Sequence, residues 1–355
     1  MAGSDLKWVS LASSFPAGLD TETDPSKLRD GWTPDGYGMS IDYPGRLVAG
    51  AIPTGTAQVK KTYTIGANTW REYFDRMWLI ATTQLKYLAP GYVGTTAAYE
   101  SLLQGRGGVS FAEDANAILE FLPVANNLYV AKSTGGYMLF GTNSQSDVWR
   151  KTDIEESMKI SAAANCNVLD GLAFASNGNG LMAWDGNRVT EITRDVRTSI
   201  SHFQNKALLV DPQKRRIIGT DKFVFDLGMK KLFHWGTTGF RWTSRVITDT
   251  ATRRRSGIRR PFGVESLAFY FDNTTQADGE ITFQTRLSKE DWSDPQTLQV
   301  KWQEEKYVRQ QITLEHPVHS QQFQVRITAL DSHIHIHDID MLTDLTVTTE
   351  ESPAQ

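Results

Sequence analysis

The chain has 355 residues, of which 40% are hydrophobic and 22% charged, and its formal net charge is −4 with the histidines neutral. This length is enough for two domains, the composition excludes wholesale disorder, and the slightly negative charge excludes a globally basic nucleic-acid coat. The single cysteine, Cys166, excludes an intrachain disulfide framework and a cysteine zinc cage.

The N-terminal region, residues 1–60, is rich in turn-forming sequence. Asp30-Gly31 and the prolines and glycines of residues 33–36, 43–45 and 52–55 are typical turn signals. We expect an extended segment that contributes single strands. The first residues lack the basic and then apolar pattern of a secretory signal, and no apolar stretch approaches 18 residues, so we expect cytoplasmic folding and no membrane span.

A loose repeat occupies residues 61–250. Its units start at residues 75, 126, 170 and 205, which are 51, 44 and 35 residues apart, and each has a polar pair, an apolar strand, a turn and a second apolar strand. This spacing brackets that of a β-propeller blade, which cannot bury its faces alone. We therefore predict an all-β fold with a propeller-like body of divergent four-stranded repeats and four to six blades. An ordinary β-sandwich or two packed meanders is the alternative.

Helical patterns are scarce in this body. Residues 111–122, which end before Pro123, and residues 153–165 are the two segments for which we predict short helices.

An arginine-rich linker or loop, residues 251–263, is expected to separate the body from a second domain. Residues 264–345 alternate polar and apolar positions, which predicts a C-terminal, jelly-roll-like β-sandwich, and residues 346–355 form a polar tail. The strands of the sandwich are predicted at residues 265–271, 280–287, 297–302, 307–314, 322–328 and 334–341.

The arginines in and before this linker are candidate interface residues, because a guanidinium group binds phosphates and acidic surfaces. A protein interface, a DNA contact and a solvated loop without a specific role are all open. The candidates are Arg241, Arg245, Arg253, Arg254, Arg255, Arg259 and Arg260.

Three histidines, His333, His335 and His337, alternate along a predicted strand and would share one face. Such a row binds a transition metal when a third ligand and an open site are present, so these are weak metal candidates. The alternative is that Ile334, Ile336 and Ile339 fill the core and the histidines face solvent or a neighbouring chain. We predict no cofactor.

No catalytic signature stands out. The chain has no Gly-x-Ser-x-Gly elbow, Cys166 lacks a papain-like context, and no glycosidase pair can be singled out among 41 acidic residues. We therefore predict a protein that is not an enzyme.

Residues 26–34, with Asp30-Gly31 and Thr33-Pro34, resemble the opening of β-propeller neck and tail proteins of tailed bacteriophages. Residues 75–87 resemble their first blade and residues 180–189 a later one, so the similarity covers about residues 19–250. The resemblance implies packaged-DNA stabilisation or a tail nozzle, and it supplies no catalytic residues.

The function predicted from this resemblance is a non-enzymatic virion structural protein, a neck or tail component that joins or seals the portal–tail channel. Its expected partners are further copies of itself in a ring, the adjacent portal, adaptor or tail proteins, and packaged DNA. We expect it in the virion, after assembly in the bacterial cytoplasm. The alternatives are a carbohydrate- or receptor-binding tail module, a glycan-active propeller protein, and a metal-dependent enzyme that uses the histidine row.

Overall fold

The computed structural model describes residues 6–12, 18–19, 32–33, 36–37, 39, 46–49, 55, 57, 62–65, 68–88, 107–141, 149–220, 223–234, 240–248, 261–273, 277–287, 291–301 and 308–344. The described chain is built of β-strands and short 3-10 turns. No helix in these ranges is long and apolar enough to cross a bilayer. The predicted all-β fold, a propeller-like body and a β-sandwich, is confirmed.

The chain divides into two compact units. The propeller-like unit comprises Pro53–Arg194 and Ser199–Leu232, and the sandwich unit comprises Met1–Ile52, Asp195–Thr198 and Phe233–Gln355. This division differs from the predicted one, because strands near the start of the chain and a strand at residues 241–243 belong to sheets of the sandwich unit.

Among the described residues, the propeller-like unit contains four antiparallel sheets, which we call blades one to four. Blade one has five strands and the others have four, with neighbours in the sheet following chain order. Blade one consists of β5 (Thr62–Ile65), β6 (Asn68–Tyr73), β7 (Arg76–Ala81), β8 (Gln84–Tyr87) and β9 (Gly107–Ser110); blade two of β10 (Ile118–Val124), β11 (Asn127–Lys132), β12 (Gly136–Gly141) and β13 (Trp149–Asp153); blade three of β14 (Cys166–Leu169), β15 (Leu172–Asn177), β16 (Gly180–Trp184) and β17 (Val189–Glu191); blade four of β18 (Leu208–Asp211), β19 (Arg216–Gly219), β20 (Phe223–Asp226) and β21 (Lys231–His234).

Blade two is buried on both of its faces. Along β11, Leu128 and Val130 pack into a core shared with blade one, whereas Tyr129 and Ala131 pack into a core shared with blade three. Alternate residues of a strand point to opposite faces, so a blade between two others needs apolar residues at every position. This double burial explains the continuous apolar runs in the repeat.

A buried ion pair joins blades one and two. Glu120 of β10 is 1% exposed and its carboxylate pairs with the guanidinium group of Arg71 on β6. Arg71 Nη1 also donates to the carbonyl of Phe121 at 3.2 Å, and its Cζ lies 4.8 Å from the Phe121 ring centroid. A carboxylate at this depth is costly unless it is paired, so the pair favours one alignment of the two blades.

A second buried cation, Lys132, holds the segment that leads into blade two. Lys132 Nζ is fully buried, donates to the Phe111 carbonyl at 2.6 Å and pairs with the Asp114 carboxylate. The hydrogen bonds from Lys132 and Thr134 hold the pKa of Asp114 well below its usual range.

The helix predicted over residues 111–122 was wrong. A 3-10 turn at Ala112–Asp114 is followed, after residues 115–117, by β10, which includes Pro123. Proline is tolerated there because β10 is the first strand of its sheet and pairs on one side only. In residues 153–165 the structure has only 3-10 turns, Glu156–Met158 and Ala163–Asn165, and a fourth 3-10 segment is Arg194–His202.

The sandwich unit consists of two main sheets that enclose one core. The four-stranded sheet has the order β1-β28-β23-β26, the five-stranded sheet has the order β25-β24-β27-β22-β4, and β2 and β3 form a separate parallel pair. Its strands are β1 (Lys7–Ala12), β2 (Gly18–Leu19), β3 (Trp32–Thr33), β4 (Gly36–Tyr37), β22 (Arg241–Thr243), β23 (Phe262–Asn273), β24 (Gly279–Leu287), β25 (Gln296–Val300), β26 (Val308–Ser320), β27 (Phe323–Leu330) and β28 (Ile334–Thr343).

The sandwich core takes side chains from both sheets. Phe269 of β23 and Phe283 of β24 have ring centroids 5.4 Å apart, and both rings are fully buried. From the N-terminal region, Leu11 enters this core and Leu47 pairs with Ile336 by backbone hydrogen bonds of 2.7 and 3.0 Å. The described parts of residues 1–52 thus belong to the sandwich unit, whereas Gly55 and Ala57 belong to the propeller-like unit.

We expect Arg71→Met to lower the free energy of unfolding by about 3–5 kcal/mol, because it leaves the Glu120 carboxylate buried without its guanidinium partner. Adding Glu120→Gln should recover part of this loss, which urea unfolding of the single and double variants would measure. Lys159→Met, which removes an exposed ion-pair partner, is the control and should change stability little. Strictly additive losses in the double variant would contradict the proposed pairing.

Candidate functional site

The best-formed candidate site is a cleft of about 560 Å³ between blades three and four, which we call the blade cleft. The turns β14–β15, β16–β17, β18–β19 and β20–β21 border it, since the first and third turns of a four-stranded meander lie at the same end. Its described lining residues are Asp170, Leu172, Phe174, Ala183, Asp185, Arg188, Thr190, Glu191, Ile192, Arg215, Phe225, Leu227 and Lys230.

The floor of the blade cleft is apolar. Phe174 of β15 and Phe225 of β20 belong to different blades, and their ring centroids lie 6.2 Å apart at an interplanar angle of 55°. Phe174 is fully buried and Phe225 is 7% exposed. An apolar floor below a polar rim is the usual composition of a ligand site.

One ion pair crosses the mouth of the blade cleft. The turn at Asp170-Gly171 has both residues at positive φ, 52° and 76°, which is the geometry of a tight Asp-Gly hairpin. Asp170 Oδ2 accepts a hydrogen bond of 2.5 Å from Arg215 Nε of blade four. The two side chains are 37% and 59% exposed, so the pair adds little stability and its partners are accessible to a ligand.

Asp185 is held as an ionised carboxylate at the rim. Its Oδ1 accepts the backbone N–H groups of Arg188 at 2.7 Å and Asn187 at 2.9 Å. The hydrogen bond from Arg188, followed by that from Asn187, lowers the pKa of Asp185 below its ordinary value. Asp185 is therefore an acceptor at neutral pH.

Buried contacts hold the two walls of the blade cleft in place. Asn167 Nδ2 of β14 donates to the Leu208 carbonyl of β18 at 2.9 Å. Arg216 Nε pairs with Asp226 Oδ2 at 3.0 Å, with both side chains 8% exposed, and Asp226 Oδ1 accepts the Met229 N–H of the β20–β21 turn. These buried contacts therefore hold the rim turns in fixed positions.

A smaller cavity of about 310 Å³ adjoins β10, β14 and β18. Its described lining includes Glu120, Cys166 and Asn167 along with alanine and leucine side chains. Glu120 is committed to Arg71, and Asn167 to the Leu208 carbonyl, so this cavity offers less polar chemistry than the blade cleft.

The predicted interface arginines are only partly within the described residues. Arg241 begins β22 and Arg245 follows that strand, and both are half-buried in the sandwich unit. The remaining candidates lie outside the described residues: Arg253, Arg254, Arg255, Arg259 and Arg260.

The predicted histidine row lies at the start of β28. Ile334, Ile336 and Ile339 are buried in the sandwich core, as the alternative interpretation expects. His335 is 4% exposed with Nδ1 3.3 Å from Arg46 Nη1, and the β23–β28 register shifts at His337, which interrupts the alternation that a row needs. Within the described ranges, no group of three or more histidine, cysteine or acidic side chains could hold a metal ion.

The carboxylates of the blade cleft were not predicted from the sequence. Residue 170 was noted only as the start of a repeat unit, and Asp185 only within residues 180–189. The signal that could have found them is the pair of Asp-Gly turns, Asp170-Gly171 and Asp185-Gly186, at the first and third turns of one repeat unit, since those two turns lie at the same end of a four-stranded meander.

No protein-family model matches the sequence, and a search of the curated proteins also finds no match. Among solved structures, the chain is similar to an exo-β-1,3-galactanase from Phanerochaete chrysosporium at 7% identity and a TM-score of 0.23, covering 81% of this chain and 69% of that one. A glycoside hydrolase matches at 8% identity and a TM-score of 0.23, covering 92% and 99%. A family 43 arabinoxylan arabinofuranohydrolase from Bacillus subtilis matches at 6% identity and a TM-score of 0.21, covering 79% and 66%.

These comparisons correct the predicted function. The prediction of a non-enzymatic virion structural protein was wrong, because the similar structures just named are glycoside hydrolases. At such TM-scores the overlap transfers no residue role and no substrate to this chain. The phage resemblance, the oligomeric ring, the portal, tail and DNA partners and the virion localisation stay predictions that no match tests.

The carboxyl group of Asp185 should titrate below the ordinary value of about 3.9. Because the folded-state pKa is depressed, the stabilisation from its two N–H hydrogen bonds is complete above the unfolded-state pKa and is lost as pH falls through the folded-state pKa. Carboxyl-carbon NMR would measure the midpoint, and Asp185→Asn should remove that titration while retaining an acceptor oxygen. A midpoint at or above 3.9 would show that the two hydrogen bonds do not hold the carboxylate in solution.

Proposed function

We propose that this protein is a glycan-active propeller protein that binds a polysaccharide in the blade cleft and hydrolyses a glycosidic bond there. One observation carries the proposal: a single cleft places Asp170, Asp185 and Glu191 around a floor of two phenylalanine rings. Glycoside hydrolysis needs two carboxyl groups on either side of the scissile bond.

The dimensions and composition of the blade cleft suit a sugar. Its volume of about 560 Å³ is within the usual range for ligand sites, roughly 300–1,000 Å³. The apolar face of a sugar ring would pack on Leu172 and Ile192, which are half-buried apolar side chains of the lining, while its hydroxyl groups would hydrogen-bond to rim carboxylates and to Arg188 and Arg215.

The three carboxyl groups divide into distinct roles. Asp185 has a lowered pKa and is the ionised carboxylate, which activates a water or attacks the anomeric carbon. Asp170 pairs with Arg215 and holds the mouth of the cleft. Glu191, half-buried on β17, is the remaining acidic residue of the described lining and is assigned as the proton donor.

In the proposed reaction, Glu191 protonates the glycosidic oxygen as the bond to the anomeric carbon breaks. Water then supplies hydroxide to that carbon, directly or after a covalent intermediate on Asp185, and its proton returns to a carboxylate. The products are two shorter saccharides, one with a new reducing end.

The test is release of reducing ends from β-1,3-galactan, arabinoxylan and starch by the purified full chain. Glu191→Gln and Asp185→Asn should each lower kcat by roughly 10²–10⁴-fold, because each removes one member of the acid–base pair. Glu156→Gln is the matched control, since it makes the same change on an exposed residue of the same unit outside the cleft lining, and it should retain activity.

Two outcomes would overturn the proposal. One is no reducing-end release from any of the three polysaccharides together with no binding of them by affinity electrophoresis. The other is hydrolysis that neither cleft variant reduces, which would place the reaction elsewhere in the chain.

A further inference from the structure

The blade cleft runs outward from the side on which blades three and four converge. The first strands of three successive blades, β10, β14 and β18, line one cavity of about 310 Å³, so these blades come together at their first strands. The fourth strand of a blade lies about 14 Å from the first, at about 4.8 Å per strand. We call the end of the cleft beside the first strands the axial end, and the end beside the fourth strands the outer end.

The turns of the two blades divide between these ends. Asp170 lies in the first turn of blade three and Arg215 in the first turn of blade four, whereas Asp185 and Lys230 lie in the third turns. A first turn joins strands one and two, and a third turn joins strands three and four. The ion pair of Asp170 and Arg215 is therefore at the axial end, and the third turns flank the outer end.

The axial end is closed at two levels. In the interior, Asn167 Nδ2 of β14 donates to the Leu208 carbonyl of β18 at 2.9 Å, and Asn167 is 3% exposed. Three residues further along the chain, at the surface, Arg215 Nε donates to Asp170 Oδ2 at 2.5 Å. Both contacts join blade three to blade four, so a chain that lies in the cleft meets a wall at its axial end.

The backbone holds both members of the surface ion pair in position. The Leu227 N–H donates to the Arg215 carbonyl at 3.0 Å, which ties the first turn of blade four to its third turn. Asp170 and Gly171 have the positive φ values of a tight hairpin, 52° and 76°. The wall at the axial end is therefore presented by two ordered turns.

The outer end has a different arrangement. Asp185 Oδ1 accepts the N–H groups of Asn187 and Arg188 from its own turn, and the side chains of Arg188 and Lys230 are exposed. In the part of the chain that the structure describes, no ion pair joins the third turn of blade three to that of blade four. Among these residues, the cleft is thus closed at one end and open at the other.

We propose that the blade cleft accepts the end of a saccharide chain rather than an internal segment, with the Asp170–Arg215 pair against the terminal sugar. This inference rests on the function proposed above and specifies which part of the substrate the cleft binds. An internal segment needs a cleft that is open at both ends, because the chain continues on either side of it. A terminal sugar carries a free hydroxyl group where an internal sugar carries a glycosidic bond, and that hydroxyl group can donate to Asp170 and accept from Arg215. The expected products are short saccharides released from chain ends.

The first test follows the digestion of β-1,3-galactan, arabinoxylan and starch by the purified full chain. Wild-type protein should release short saccharides from the earliest time points, while the viscosity of the polymer falls little for each bond cleaved. The double variant Asp170→Asn/Arg215→Asn removes the surface part of the wall, and asparagine tolerates the positive φ of both positions, 52° and 54°. It should raise the loss of viscosity per bond cleaved roughly threefold or more, with longer products in chromatography.

The matched control is Glu156→Gln/Lys159→Gln, which removes an exposed ion pair of the same unit outside the cleft lining. It should keep the wild-type viscosity loss per bond within about 1.5-fold, since exposed pairs contribute little to stability. Thermal denaturation should show that both double variants are folded.

The second test measures binding without hydrolysis. Isothermal titration calorimetry would compare equal masses of each polysaccharide, intact and after partial acid hydrolysis, which multiplies the chain ends. The number of binding sites per gram should rise in proportion to the number of ends.

The two tests separate this inference from the proposed function. Viscosity that falls in step with bond cleavage in the wild type, a folded Asp170→Asn/Arg215→Asn variant with wild-type products, or binding independent of the number of ends would overturn chain-end recognition and leave hydrolysis standing. Binding that rises with the number of ends, without hydrolysis, would overturn only the hydrolytic function. Absence of both binding and hydrolysis would overturn both.

Discussion

The propeller-like unit depends on the burial of a blade on both of its faces. Leu128 and Val130 contact one core while Tyr129 and Ala131, between them in sequence, contact another. Because every side chain of such a strand packs into a core, polar and charged side chains are confined to turns and blade edges. The blade cleft has this composition, because its charged rim is supplied largely by hairpin turns and its floor by Phe174 and Phe225 at the faces of blades three and four.

Apolar packing alone leaves the alignment of stacked blades weakly specified, since sheets of similar residues pack in several registers. The buried ion pair of Glu120 and Arg71 restricts this choice, because the two residues belong to different blades. Misalignment would leave a charge without its partner in a water-poor interior, and that cost exceeds the loss of a few van der Waals contacts. The pair of Arg216 and Asp226 lies within blade four and holds the turn that carries Lys230.

The sandwich was readily predictable from the sequence. One face of each strand is exposed to solvent, so polar and apolar residues alternate visibly along the sequence. The repeat was also visible, but its first unit began at the third strand of blade one, and its second and third units at the second strands of their blades, where an apolar strand follows a turn. The strand β10 was mistaken for a helix, since burial on two faces removes alternation and Glu120 interrupts an otherwise apolar run. The blade cleft was missed because its pairs, such as Asp170 with Arg215, are 45 residues apart and meet only when two blades stack.

The pairing of β1 with β28 has a consequence for how the chain folds during synthesis. Lys7 stands opposite Thr343, so the four-stranded sheet joins segments from near both ends of the sequence, whereas all strands of blades one to three lie between residues 62 and 191. During synthesis on the ribosome, each blade emerges after the blade before it has been made. Blades one to three can therefore form contacts that are local in sequence. The strand β1 is synthesised before the blades and has no partner until β28 emerges, so it stays unpaired while the blades form. The four-stranded sheet of the sandwich is therefore completed after the blades.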